Sequence, residues 1–388
     1  MNQRLNTLVL PFVVSSCLSA TIDDLPLNRY GMIMAHDAAS GYLDPSGVIK
    51  GEVVDWTKTQ SMPTKSAADL LDCGARSFDW RPYVKEGKLN AHHGDIEIEH
   101  EFEDSLDEIV NWCKANPSEM VIMHLWDCGS DGSGDCNALV QGVLDGRNLK
   151  AVNDCNALVN VTVGEAKALG AMEGGGILLP ILPTLGDDGQ GCSVANYDES
   201  IACWGGRNPF VGRGGEGGQQ LDLILDCVER GGVELGKAYK GLREEERAKV
   251  EECRGKYPSD EEEGVLKARL KALFTYSCWD DSSTKETPLK QMTNYMDKVS
   301  KAGPGDAPFY QMQALWEEST ASVVVGELHF SSLVEDEEKS KLNALTRDYI
   351  DSGRFPNINY IEVNNVCDGG VELKKSLDAF NENNVNTL

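Results

Sequence analysis

The sequence predicts an α/β protein whose parallel sheet closes as a TIM-type (β/α) barrel. Short apolar runs alternate with segments of helical periodicity from Tyr30 to the C-terminus, the pattern of βαβ units. Reactive polar residues follow the C-terminal ends of those runs, where a parallel barrel gathers its loops at one mouth. The phosphate-loop pattern GxxxxGK(S/T) is absent from the chain, which argues against a P-loop nucleotide site.

Taken in order, Tyr30 to Ala35 (YGMIMA) reads as a buried first strand ending at His36-Asp37. Residues 44 to 65 carry Pro, Gly and polar residues and read as a loop. Ser66 to Cys73 reads as a short helix, with Leu70, Leu71 and Cys73 apolar and Gly74 suited to its C-cap. The stretch Cys73 to Gly94, CGARSFDWRPYVKEGKLNAHHG, holds two strand-like segments joined by a polar turn. Ser77, Asp79 and Arg81 share one face of the first by the strand period of two. The second, Lys88 to His92, runs into His93 and Gly94. By spacing alone this stretch is either a site that handles an anionic group or a salt-bridged hairpin with a surface His pair. Asp104-Ser105 opens a helix on which Leu106, Ile109, Val110 and Cys113 share a face, and Asn116-Pro117 stops it. Met120 to Trp126 (MVIMHLW) is a buried strand, followed by a Gly/Asp/Ser loop, helical stretches at 136 to 157 and 163 to 170, and an apolar run Ile177 to Leu182.

Residues 184 to 219 are glycine-rich and carry Cys192 and Cys203, and 220 to 272 are helical and heavily charged. The charge runs read as solvated helix faces, and 184 to 300 as an insertion within a single domain covering 21 to 388. Alternation returns with a strand at Ala321 to Leu328, a helix at 335 to 352 and a last strand at Asn357 to Val366.

The 388 residues, 41% of them hydrophobic, suffice for a large core. With 63 acidic against 36 basic residues the net charge is -27, which repels nucleic acid and anionic membrane surfaces and argues against either as an electrostatic partner. Arg4, the apolar run Leu8 to Val14 and the small residues around Cys17-Leu18-Ser19 predict a secretory signal peptide over 1 to 20, and hence a secreted protein. Val14-Ser15-Ser16-Cys17 also fits a bacterial lipoprotein box, with Cys17 as lipid anchor. No later stretch has membrane-spanning length, and the polar tail NENNVNTL is unlike a glycolipid-anchor signal. Of twelve cysteines eleven remain after the signal, which in an exported protein predicts several disulfides and one thiol over. Their spacing does not fit zinc. Asn160-Val161-Thr162 is a glycosylation acceptor.

In a barrel, His36 and Asp37 end strand one, Asp79 and Arg81 strand two, and His93 the next segment. Two imidazoles, two carboxylates and a guanidinium suit phosphodiester cleavage, with one His as base, the other as acid, and Arg on the phosphoryl oxygens. His92 reads as a support, and His124, inside an apolar strand, as a satisfied core histidine. Tyr83 suits stacking on a sugar ring, and His329 in GELHFSS lines the mouth. Trp80 and Trp126 read as packing residues.

Three segments carry a family resemblance: Ala35-His36-Asp37, then GARSFDWRPYVKEGKLNAHHG, then ANPSEMVIMHLWD at 115 to 127. In order and spacing they resemble the X domain of phosphatidylinositol-specific phospholipases C, over roughly residues 29 to 130. FPNINYIEVNNVCDGG (355 to 370) is more weakly similar to the last barrel strand of the X-domain-containing branch of plants and fungi. The resemblance implies an incomplete or distorted barrel that cleaves head groups of inositol phospholipids, or related glycolipids, in two steps at a membrane surface. It implies that His36 is the general base on the inositol 2-hydroxyl and His93 the general acid. Asp37 orients and charges His93, Arg81 stabilises the phosphoryl charge, and Asp79 fixes Arg81 or the nucleophilic side. Tyr83, His329 and Asn364 complete the set as substrate-binding residues. Calcium-dependent relatives carry an acidic ligand at the Arg81 position, so Arg81 implies a mechanism without metal or other cofactor. The chain departs from the pattern at Asn364, where the family supplies an Asp to partner the first His. Asn orients an imidazole but carries no charge to stabilise its cation, and Asp127 or Glu327 are the candidates to supply it. The alternatives are a metal-dependent glycerophosphodiesterase or sphingomyelinase D-like enzyme, or a non-catalytic secreted barrel protein.

Overall fold

The computed structural model describes residues 20–43, 58–94, 96–182, 193–195, 286–303, 307–316 and 332–387. The signal segment, most of the 184–300 stretch, the strand expected at 321–328, Glu327 and His329 lie outside them.

Seven strands form one parallel sheet: β1 Met32–Ala35, β2 Ser77–Trp80, β6 Met120–Leu125, β8 Ile177–Ile181, β9 Ser193–Ala195, β10 Phe309–Gln313 and β11 Tyr360–Val363. Their order is β8-β6-β2-β1-β11-β10-β9. Each strand thus lies beside its neighbours in sequence, and the last pairs with the first (Met32 opposite Tyr360, Ala35 opposite Val363). That cyclic order is barrel order. Among the described residues β8 and β9 are not paired.

The strands alternate as buried strands must. Met32, Met34, Met120, Ile122, Leu179, Ile181, Phe309 and Tyr360 form one cluster, closed at its base by Leu25, Leu27, Leu158 and Val163. Ile33, Phe78, Trp80, Val121, Met123, Leu178, Tyr310, Met312, Ile361 and Val363 belong to a second cluster, under the helices. Inward positions at the C-terminal strand ends are instead polar and buried: Asp79, His124, Gln311, Gln313, Glu362 and, one residue past β11, Asn364.

The outer layer includes α1 Ala67–Asp72, α2 Phe102–Ala115, α3 Cys136–Gly146, α4 Val163–Leu169, α5 Glu286–Ala302, α6 Leu333–Ser340, α7 Leu342–Asp351 and α8 Gly370–Val385. Ser66 caps α1 by accepting from the Ala68 amide, and Thr162 and Glu165 cap α4 reciprocally. The helix expected over 335–352 is two, because Lys341 adopts a left-handed conformation (φ 59°) between α6 and α7. Phe309–Gln313 and α8 were not anticipated. β10 mixes apolar and amide residues without clean alternation, and α8 is so polar (ELKKSLDAFNENN) that it reads as a tail.

Cys73–Gly94 departs from expectation. β2 is a barrel strand, but β3 Pro82–Lys85 and β4 Lys88–His93 form an antiparallel hairpin in a separate sheet with β5 Ile96–Ile98 and β7 Gly129–Ser130, ordered β5-β4-β3-β7. Glu86 and Gly87 both have positive φ (50° and 74°), the two-residue turn that suits a right-twisted hairpin. His93 therefore arrives from a hairpin beside the barrel mouth and not from a third barrel strand.

Cys73 and Cys367 form a disulfide that ties α1 to the loop after β11, and Cys128–Cys136 closes a small loop before α3. Cys113 is a buried free thiol, and burial pushes its pKa up to about 12.

Candidate active site

The site forms where β1, β2 and β11 end and the hairpin folds over them. His36 follows β1; its amide donates to the Val363 carbonyl (3.1 Å), and its own carbonyl accepts from Thr59 Oγ1 (2.8 Å) and Gln60 Nε2 (2.9 Å). Asp37 then turns left-handed (φ 42°, ψ 51°) into a short 3-10 turn, Ala38–Tyr42, a conformation Asp and Asn tolerate better than most residues. That turn sends consecutive side chains of one dipeptide into the same mouth.

Asp37 is the hub. Its Oδ2 lies 3.2 Å from His36 Nε2 and 3.0 Å from His93 Nε2, and its Oδ1 lies 2.8 Å from Arg81 Nε. The imidazoles of His36 and His93 meet edge to face, 6.3 Å between centroids. Arg81 also donates from Nη2 to Asp79 Oδ2 (3.0 Å), which accepts in addition from the Asp37 amide (3.1 Å). Trp126 Nε1 donates to Asp79 Oδ1, and the Arg81 guanidinium lies over the Trp126 ring at 4.8 Å, a cation–π contact. The guanidinium is thus fixed by two carboxylates and an indole while 15% of its side chain stays exposed at the mouth.

Burial by itself pushes the Asp37 carboxyl up, but His93, His36 and Arg81 outweigh it and hold the group below the ordinary carboxylate range. For His36 burial works downward, and the carboxylates of Asp37, Glu362 and Asp79 reverse it, raising the imidazole to about 9. Arg81 is raised too: desolvation opposes its charge, and Asp79 and Asp37 more than compensate. Glu362 is desolvated and pushed up to about 7 even though nearby His36 favours its anion; Gln311 and Gln313 both donate to its Oε2, the latter at 2.8 Å.

The five expected catalytic residues, His36, Asp37, Asp79, Arg81 and His93, are brought together. Asn364 is not at the open side: it is fully buried, and its Oδ1 meets His36 Nδ1 at 2.9 Å, which places it behind the imidazole. Tyr83 tilts against His92 (5.4 Å between centroids) within the hairpin sheet. His92 Nε2 meets the Asp127 carbonyl at 2.7 Å and Nδ1 the Gly94 carbonyl at 2.9 Å, so His92 supports the hairpin. His124 bonds the Tyr360 hydroxyl (2.9 Å) between aromatic rings, a satisfied core histidine. Asp127 stands with His92 and not with His36. Trp126 does more than pack, since it holds Asp79.

Glu362, Glu337, Gln311 and Gln313 were not foreseen. A charged residue inside the apolar run YIEV is anomalous for a buried strand, and Tyr360, Glu362 and Asn364 alternate onto the face that carries chemistry; that signal was present for Glu362. His36, Asp79 and Glu362 are the described residues that come nearest to a metal-holding group, their ligand atoms within 4.8 Å of one another. They fit a cation poorly, because Glu362 Oε2 is engaged by two amides and Asp79 by a guanidinium whose charge repels a dication.

No family model matches the chain, and no curated protein matches it. Among solved structures it is similar to a single-site mutant of the phosphatidylinositol-specific phospholipase C from Staphylococcus aureus (15% identity, covering 91% of this chain and 93% of that one, TM-score 0.47). A double mutant of the same enzyme gives 16% identity, 91% and 93% coverage and a TM-score of 0.48. The phosphatidylinositol-specific phospholipase C from Listeria monocytogenes gives 12% identity, 93% and 97% coverage and a TM-score of 0.42.

Proposed function

We propose that this chain is a phosphoric diester hydrolase of the phosphatidylinositol-specific phospholipase C type, secreted and working without metal. One observation carries the reading: a single buried carboxylate, Asp37, holds two imidazoles and a guanidinium at its two oxygens, at the C-terminal mouth of a parallel barrel. An acid, a base and a fixed cation around one point are what displacement at phosphorus requires.

In the first step His36 Nε2 takes the proton of the head group's 2-hydroxyl as that oxygen bonds to phosphorus. The bond from phosphorus to the glycerol oxygen breaks, and His93 Nε2 gives its proton to the leaving oxygen, leaving a cyclic phosphodiester and diacylglycerol. Water then opens the ring with the roles exchanged. Arg81 faces the developing charge on the non-bridging oxygens, its planar fork oriented by Asp79 and Trp126. With its pKa near 9, His36 is mostly protonated in the free protein at neutral pH, so the base-competent fraction grows as pH rises.

The test is release of head group from phosphatidylinositol vesicles with and without a chelator, with the product examined for a cyclic inositol phosphate. Chelator-insensitive release of the cyclic product is expected. Release abolished by chelator would favour a metal-dependent phosphodiesterase, and no turnover by folded protein would overturn the reading.

A further inference from the structure

The negative charge that an Asp at position 364 would place directly on His36 is present one residue further away. Asn364 Nδ2 donates to Glu337 Oε1 at 3.0 Å and to the Trp316 carbonyl. The same Glu337 oxygen accepts from the Trp316 amide at 2.6 Å. Both partners of Nδ2 are acceptors only, so the amide has a single sense: Oδ1 faces His36 and must accept. His36 Nδ1 therefore carries a hydrogen, and Nε2 is the nitrogen turned to Asp37 and the mouth. Glu337 is 2% exposed and Asn364 fully buried, so the chain of bonds runs through a low-dielectric interior, where a carboxylate polarises the amide between it and the ring.

We propose that Glu337, on α6, is the positioning residue of a His36–Asn364–Glu337 relay: its charge, passed through the Asn364 amide, stabilises the His36 imidazolium and locks the Nδ1–H tautomer. This rests on the phosphodiesterase reading for its consequence in catalysis, though not for its physical content. The other charged or titratable groups facing His36 are Asp37, Asp79, Glu362, Arg81 and His93. Among the described residues none of them meets Nδ1, and Asn364 does.

The test is Glu337→Gln, whose amide oxygen can still accept from both Trp316 and Asn364, so that only the charge is removed. His36 is followed by NMR of ring-labelled histidine, assigned with a His36→Gln variant. Its pKa is expected to fall by roughly one unit, the basic-going limb of the kcat–pH profile on phosphatidylinositol to move down by the same unit, and KM to stay unchanged. In an Asn364→Ala background, Glu337→Gln should change the His36 pKa little, because the relay is already cut. An unchanged His36 pKa in Glu337→Gln, or the same shift with and without Asn364, would overturn the proposal. Should Glu337→Gln fail to fold, ring nitrogen shifts of the unaltered protein decide: neutral His36 must carry its hydrogen on Nδ1, and a hydrogen on Nε2 refutes the relay. Absence of turnover in the unaltered protein would remove the phosphodiesterase reading and leave these NMR outcomes intact.

Discussion

Replacing Asp37 by Asn probes the hub of the site. Asn keeps the size of the side chain and tolerates the left-handed backbone at 37 (φ 42°), so the change is one of charge. Arg81 Nε loses a carboxylate oxygen at 2.8 Å, and both imidazoles lose theirs at 3.2 and 3.0 Å. A guanidinium–carboxylate pair with charge centres about 4 Å apart is worth about 4 kcal/mol at an effective dielectric near 20. Asp79 remains on Arg81 and the His36 imidazole can shed its proton, so the expected loss of stability is about 3 kcal/mol, at the lower end for a broken buried pair. Catalysis should suffer more than stability: His93 loses the carboxylate that holds its Nε2 at 3.0 Å, and turnover should fall by about 100 to 10,000-fold. Urea unfolding gives the first quantity and head-group release from phosphatidylinositol the second. An Asp37→Asn protein that works within about tenfold of the unaltered rate would refute the assignment of Asp37 as partner of the acid.

His93→Ala should lower the same rate by about 100 to 10,000-fold with the fold intact by circular dichroism. Arg81→Lys should also slow turnover by more than tenfold, since a point charge cannot face Asp37 and Asp79 together as the fork does; an unimpaired Lys variant would remove Arg81 from phosphoryl stabilisation. His36 and Glu362 have pKa values of about 9 and about 7, above their ordinary 6.5 and 4.5. Both hold protons more tightly folded than unfolded, so their contribution is fully present at low pH and fades as pH rises through those values. For His36 the span corresponds to about 3 kcal/mol at most; urea unfolding between about pH 6 and 9.5 should show the decline, and His36→Gln should flatten it. Removing the Cys73–Cys367 disulfide, which closes a loop of 294 residues, by Cys73→Ser with Cys367→Ser should lower unfolding free energy by about 3 to 5 kcal/mol.

The reactive dipeptide His36-Asp37, the alternation of Ser77, Asp79 and Arg81 and the pair His92-His93 were legible because local periodicity and strand ends suffice to place them. So were the βαβ alternation and the helix at 102–115, whose apolar spacing is regular. The hairpin that carries His93 was not separable from a barrel strand, since a strand pattern does not say which sheet it joins. Nor was the partner of His36: position 364 reads simply as an Asn where an Asp belongs, and Glu337, the carboxylate beyond it, is one acid in a chain with 63 of them.

The sequence by itself determined the strand ends, the residue types at the mouth and the acidity of the chain, all properties of short windows and of composition. Only the tertiary structure decided that one carboxylate serves both imidazoles and that Asn364 stands behind His36 with Glu337 beyond it. The reason is physical. Electrostatic partnership in a buried site depends on distances of a few ångströms between residues hundreds apart in the chain, and on the burial that lets so short a contact matter.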